Sequence, residues 1–99
     1  MNIKLLNKGN EAEVLLEGRL DANTSPETEK YLRQVADQYE KLTLNLAGLT
    51  YISSAGLRVA KIVHMAMHKK GGTLTLKNVN SRVMQVFEVT GIAGLFHFE

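Results

Sequence analysis

The segment Y-I-S-S-A-G-L, residues 51–57, places two adjacent hydroxyl side chains, Ser53 and Ser54, before the small residues Ala55 and Gly56. The hydropathy pattern puts these residues between an apolar strand and the first turn of a helix. A helix N-terminus has unpaired N–H groups and a positive dipole end, so an added phosphate dianion is tolerated there. Phosphorylation here would change a surface without unfolding the domain. Equally, either serine could be a simple helix cap.

A second polar segment, G-R-L-D-A-N-T at residues 18–24, runs from the second predicted strand into the first predicted helix. In one interpretation Asp21 and Asn23 are turn formers and Thr24 is a helix cap. In the other, Asp21 is an exposed carboxylate at the same end of the sheet as Ser54. We expect the two segments to be neighbours, because each follows the carboxyl end of a strand.

The histidines do not predict a metal site. His64 and His68 have the i, i+4 spacing of two zinc ligands on one helix face. However, Met65 stands where a zinc hydrolase has glutamate, and His97 is distant in sequence. We therefore expect neither a metal nor another cofactor.

Catalysis and nucleic-acid binding have little support. The glycine that a G-x-S-x-G nucleophile motif needs before Ser54 is Ile52, and no carboxylate pair stands out. Arg58, Lys61 and Lys69 form a basic strip, but such strips are common on solvated helix faces, and nucleic-acid binding is not predicted. These features favour a binding module over an enzyme.

Composition is consistent with one small domain spanning residues 1–99. The chain has a net charge of +2, 44% hydrophobic residues and no cysteine, which excludes disulfides and cysteine-based zinc sites. No segment is long and apolar enough for a membrane span, and the first residues lack a signal-peptide pattern. We expect a cytoplasmic protein without membrane insertion.

Hydrophobic periodicity divides the chain into short strands and helices. Alternating or apolar runs predict strands at residues 3–6, 14–16, 41–46, 73–77 and 95–98. Three helices are predicted. The first begins at Ser25-Pro26, with Ser25 or Thr24 as its cap. The second follows a loop at 47–53 and ends at about Lys70, and the third begins at a cap, Ser81, and ends at Thr90-Gly91. The order β-β-α-β-α-β-α-β predicts an α/β fold in which helices pack on a mixed, mostly parallel sheet.

Five segments along the chain carry recognisable motifs. They are G-R-L-D-A-N-T at 18–24, L-N-L-A-G-L at 44–49, Y-I-S-S-A-G-L at 51–57, G-G-T-L at 71–74 and V-F-E-V-T-G-I at 86–92. In this order they resemble motifs of the STAS domain family, and within it the stand-alone bacterial anti-sigma factor antagonists (anti-anti-sigma factors). The family's motifs are, in turn, G-x-L-D-x-x-T, a strand ending in D-L-S-x-L, the phosphorylation loop, a G-G-x-L turn, and the closing helix with its T-G-L/I turn. The resemblance covers essentially the whole chain.

The resemblance implies a partner-switching mechanism. The unmodified antagonist binds an anti-sigma factor that is also a serine kinase of the histidine-kinase-like ATPase superfamily, and this frees the sigma factor. The kinase uses Mg-ATP to phosphorylate a serine at the helix N-terminus, which ends the complex, and a PP2C-type phosphatase restores it. Carried over to this chain, the partner-binding residues are Asp21, Asn23, Thr24, Ser53, Ser54, Ala55, Gly56 and Arg58.

Three departures from the family pattern bear on the switch. Aligned on Gly56, Ser53 stands where the common D-S-S-G-L loop has its acidic residue, and Ala55 stands at the position most often phosphorylated. Asn45 replaces a frequent aspartate. Ser54 is the favoured phosphate acceptor because it lies nearest the usual one, with Ser53 as the alternative. A STAS scaffold without the switch, such as a subunit of a lipid-transport or signalling complex, is the other interpretation. From sequence, replacing Asp21 by alanine or enlarging Gly56 is expected to spare the fold.

Overall fold

A computed structural model describes all residues 1–99 of the chain. The elements, in order, are β1 (Asn2–Lys8), β2 (Glu11–Leu20), α1 (Ser25–Gln38), β3 (Lys41–Ile52), α2 (Ser54–Lys69), β4 (Thr73–Lys77), α3 (Ser81–Val89), a 3₁₀ turn (Ala93–Leu95) and β5 (His97–Phe98). No helix combines the length and the hydrophobicity needed to cross a membrane.

The five strands form one sheet in the order β1-β2-β3-β4-β5. β1 is antiparallel to β2, and all other neighbours are parallel. Each of the three parallel connections leads from one strand to its immediate neighbour, always in the same direction across the sheet. Because such crossovers are right-handed, all three helices lie on one face of the sheet. Leu32 of α1, Val59 of α2 and Phe87 of α3 accordingly line the same apolar space. The predicted fold class is confirmed, and the opposite face of the sheet carries no helix.

β3 is longer than its sequence suggests. The predicted loop at 47–53 is wrong, because the strand continues to Ile52 in register with β2. Register shifts between Leu15 and Glu17 and between Gly18 and Arg19 interrupt the pairing. Such bulges break the alternation of apolar and polar residues by which a strand is recognised.

The cap of α3 differs from the prediction, and the cap position of α1 is one of the two predicted residues but makes no side-chain cap hydrogen bond. Asn80, not Ser81, caps α3, and its side chain accepts a hydrogen bond of 2.9 Å from the backbone N–H of Val83. At α1 the cap position is Thr24, whose hydroxyl does not cap the helix. The hydroxyl of Ser25 is buried without a hydrogen-bond partner. The last strand is also shorter than predicted, since a 3₁₀ turn precedes its two residues.

A buried carboxylate, Glu13, lies on the sheet face that carries no helix. Its side chain is only 10% exposed. It accepts hydrogen bonds of 2.9 Å from the Asn45 amide and 3.0 Å from the Lys8 ammonium group, with the Lys77 ammonium group 3.9 Å away. These partners, the Asn45 amide first, hold the pKa of Glu13 below its ordinary value although burial opposes them. These contacts link β1, β2, β3 and β4 across the face of the sheet that carries no helix.

Acidification is expected to weaken the fold through Glu13. Because its pKa is lowered by folding, its stabilising contribution is complete above the ordinary glutamate pKa and is lost as pH falls through the lowered value. Glu13→Gln should therefore shrink the drop in Tm between about pH 6 and about pH 3. Part of that drop should persist, because the pKa of Asp21 is lowered as well. Equal drops in the variant and the wild type, measured by thermal melts, would contradict this assignment.

Candidate partner-binding site

The N-terminus of α2 presents one free hydroxyl. Ser53 occupies the cap position in an extended conformation, and its side chain accepts a hydrogen bond of 3.4 Å from the Gly56 N–H. Ser54 is the first helical residue; it is exposed, and its hydroxyl has no hydrogen-bond partner within the chain. The two serines therefore differ in the structure: the Ser53 side chain caps the helix, whereas the Ser54 hydroxyl is exposed and makes no bond within the fold.

The loop between β2 and α1 is held by Asp21. Oδ1 of Asp21 accepts hydrogen bonds from the backbone N–H groups of Asn23, at 3.0 Å, and Thr24, at 3.1 Å. The Thr24 hydroxyl accepts from the Asp21 N–H at 3.0 Å and donates to the Arg19 carbonyl at 2.8 Å. The hydrogen bonds to the carboxylate, that of the Thr24 N–H foremost, lower the pKa of Asp21. Asn23 is exposed beside this turn.

The register of β2 and β3 brings the two loops together, as expected. Leu20 pairs with Ile52, so Asp21 and Ser53 each follow the end of neighbouring parallel strands. The Ser53 N–H donates a hydrogen bond of 2.9 Å to the Leu20 carbonyl, which ties the loops directly. Neighbouring strands lie about 4.8 Å apart, so a single partner surface can contact both loops.

Of the two interpretations of Asp21, the structure supports the turn former and not the exposed carboxylate. Its side chain is 27% exposed, and Oδ1 is occupied by the loop's own N–H groups. Only Oδ2 faces outward, where it lies 3.7 Å from Nε of Arg19.

Asp21→Ala is accordingly expected to lower the Tm by several degrees, because the N–H groups of Asn23 and Thr24 lose their acceptor. Asp21→Asn keeps an acceptor oxygen at the same place and should melt close to the wild type. Calorimetry of the two variants separates the loop's hydrogen bonding from the carboxylate charge. Equal melting of the alanine variant and the wild type would contradict the structural assignment.

Gly56 is a packing residue. It is buried, and a Cβ atom there would lie 2.8 Å from both the Leu20 carbonyl oxygen and a side-chain carbon of Ile52. Real Cβ atoms do not approach backbone oxygen this closely, so only glycine lets α2 start against the end of β2. The expectation that a larger residue at 56 would spare the fold is therefore wrong.

The remaining candidates lie at or near the surface. Arg58 is exposed in α2, four residues after Ser54, and residues with this spacing are neighbours on one helix face. Ala55 is half-buried in the first turn. The structure thus brings the candidate side chains to one edge of the sheet, with Gly56 beneath them.

Sequence patterns missed a stacked pair next to this edge. Thr50 is the extra residue of the bulge, and its hydroxyl donates a hydrogen bond of 3.1 Å to the Gly18 carbonyl. The bulge sets Tyr51, instead of Thr50, opposite Arg19, and the guanidinium carbon lies 4.1 Å from the centre of the tyrosine ring. The pair could be predicted only if the position of the bulge were known, and the alternation of apolar and polar residues does not give that position.

The three histidines also come closer than their sequence positions suggest. His64, His68 and His97 line one cavity of about 510 Å³, and the rings of His64 and His68 stack with centres 6.0 Å apart. The structure has no group of three or more His, Cys, Asp or Glu residues placed to hold a metal ion.

Comparison with known proteins places this geometry in a family. A family model described as "Mlab, STAS domain" matches residues 3–97. The anti-sigma-B factor antagonist of Bacillus subtilis (strain 168) is 28% identical over 92 residues, which cover 93% of this chain and 84% of the relative.

Two solved structures share the fold. The anti-sigma factor antagonist SpoIIAA in its unphosphorylated form has a TM-score of 0.84 at 16% identity, covering 99% of this chain and 88% of that chain. The Bacillus cell fate determinant SpoIIAA in the phosphorylated form has a TM-score of 0.77 at 15% identity, covering 99% and 91%.

Fold and site together define a small α/β regulatory domain with an exposed serine hydroxyl at a helix N-terminus. The chain belongs to the STAS domain family. The resemblance inferred from five sequence segments is thereby confirmed, as is the expectation of a binding regulator rather than an enzyme.

Proposed function

We propose that this chain is a cytoplasmic anti-sigma factor antagonist that works by partner switching. Its unmodified form binds an anti-sigma factor, a serine kinase of the histidine-kinase-like ATPase type, and so frees the sigma factor. The observation that carries the proposal is the Ser54 hydroxyl, which is exposed and makes no hydrogen bond within the chain. Ser53 caps the helix, so modification of Ser54 leaves the cap in place. A relative is itself named an anti-sigma-B factor antagonist.

The contact surface we propose combines both loops. Asn23, Ser54 and Arg58 are exposed at this edge, and Asp21, Thr24, Ser53 and Ala55 support or border them. The loops are fastened by their own hydrogen bonds, so the surface is already ordered before a partner arrives. Such preorganisation reduces the entropy lost on binding.

Phosphorylation of Ser54 by the kinase, with Mg-ATP as phosphate donor, ends the complex in this proposal. The phosphate carries a charge of about −1.5 to −2. The dipole of α2 and Arg58, one turn further on, stabilise that charge on the surface of the free domain. The same dianion in the middle of a desolvated interface opposes binding. A PP2C-type phosphatase removes the phosphate and restores the binding form.

A release assay tests the proposal. Labelled sigma factor is bound to the purified anti-sigma kinase of the same genome, and the unmodified chain is added in increasing amounts. We expect sigma factor to be released in proportion to the added chain, and we expect prior incubation of the chain with kinase and Mg-ATP to abolish release. Unchanged sigma binding at excess chain would contradict the proposal.

A further inference from the structure

A shallow hollow of about 170 Å³ lies next to the loops, at the carboxyl edge of the sheet. Its polar wall consists of Arg19, Thr50, Tyr51 and Arg82, and its apolar floor includes Ile52 and Val83. Arg19 comes from β2, Tyr51 from β3 and Arg82 from the first turn of α3. Three elements that are separate in sequence thus converge on one small surface depression.

Both arginines have free donors. The guanidinium carbon of Arg19 lies over the Tyr51 ring, 4.1 Å from its centre, in a cation–π contact that restrains the side chain while it remains 61% exposed. Its only acidic neighbour, Asp21, is 3.7 Å away and uses its other oxygen inside the loop. Arg82 is exposed and takes part in none of the four ion pairs of the structure.

The chemistry of the hollow suits an acidic side chain of a protein partner. Guanidinium groups present planar N–H forks that match carboxylate oxygens, and an arginine stacked on an aromatic ring loses little further freedom when it binds. The Tyr51 ring is 41% exposed and adds an apolar contact for the methylene groups of the incoming side chain. The small volume fits one side chain rather than a whole ligand.

We propose that this hollow binds an aspartate or glutamate side chain of the anti-sigma factor, with Arg19 and Arg82 as its donors and Tyr51 as its platform. The inference rests on the proposed function for the identity of the partner. The last pair of residues in β2 and β3 is Leu20 and Ile52, and the two loops begin directly after it. Arg19 and Tyr51 form the pair just before, so the hollow lies next to the loops. The docked carboxylate therefore sits at the edge of the surface that contains Ser54, and it fixes the orientation of the partner over that serine.

Affinity measurements test the site. We expect Arg82→Gln and Arg19→Gln each to raise the Kd for the purified anti-sigma kinase about tenfold and to reduce its dependence on salt concentration. Arg33→Gln is the matched control, because Arg33 is an exposed arginine on α1 whose partner is Glu29. Kd values and salt dependence equal to those of the control would overturn the inference.

A second probe keeps the site testable apart from the proposed function. Acetyl-Asp-Glu-amide is titrated into ¹⁵N-labelled protein while the arginine Nε–Hε signals are followed by NMR. We expect the signals of Arg19 and Arg82 to shift several-fold more than that of Arg33. Equal shifts for all three would overturn the inference, even if the release assay supports the proposed function. Selective shifts would support the carboxylate site even if that assay fails.

Discussion

Replacement of Ser54 by aspartate is expected to weaken binding of the anti-sigma kinase about 100-fold and to leave the fold intact. Ser54 is exposed and makes no side-chain hydrogen bond, so the fold loses nothing when it is replaced. A carboxylate in the first turn of α2 is favourable to the helix dipole. In the complex the same charge is desolvated without a partner, which costs several kcal/mol of binding free energy.

Two controls isolate the effect of Ser54→Asp. Ser54→Ala should bind as tightly as the wild type but accept no phosphate from the kinase. Ser53→Asp adds the same charge one residue away, at a cap position where the carboxylate is paired with the first-turn N–H groups, and should keep the fold and weaken binding less than Ser54→Asp does. Wild-type affinity of Ser54→Asp in a titration, with its thermal melt unchanged, would contradict the switch.

Substitution of Gly56 is expected to give a large loss of stability. Helix propensity alone predicts that Gly56→Ala stabilises the protein by up to about 1 kcal/mol. Packing predicts the opposite sign, because the new Cβ would meet the backbone oxygen of Leu20 at 2.8 Å, and a backbone atom cannot move aside cheaply. Overpacking costs about 1–3 kcal/mol, so the packing effect exceeds the propensity effect.

Gly56→Val should therefore lower the free energy of unfolding by about 3 kcal/mol or more, equivalent to a Tm shift of roughly 10–20 °C. Gly94→Ala is the matched control, since a Cβ at Gly94 has no heavy atom within 4 Å. The control should melt near the wild type. Cooperative melting of Gly56→Val at the wild-type temperature would show that α2 does not start against β2 as described.

The parts of the fold with regular periodicity were predictable from sequence. Alternation identified β4, and Gly71 after basic residues marked the end of α2. The second half of β3 was missed because two bulges remove the alternation there. The cap of α3 was assigned one residue late, because Asn80 and Ser81 are both good caps and only the backbone shows which residue leaves the helix.

The candidate site was predictable as a location but not in its detail. The carboxyl ends of parallel strands bring polar loops together, which placed Asp21 near Ser54 correctly. Burial is decided by contacts between residues distant in sequence, so Gly56 beneath Leu20 and Asp21 inside its own turn were read as surface residues. The contact between Arg19 and Tyr51 depends on one extra residue in β3, which no pattern in the sequence marks.

The decisive experiment for the phosphorylation switch is phosphosite mapping by intact and tandem mass spectrometry, on protein taken from its native cell. We expect a single phosphate on Ser54. A phosphate on Ser53 would contradict the assignment of Ser53 as the helix cap and Ser54 as the phosphate acceptor. The absence of phosphate under every growth condition would contradict the switch itself and favour a STAS scaffold that binds without it.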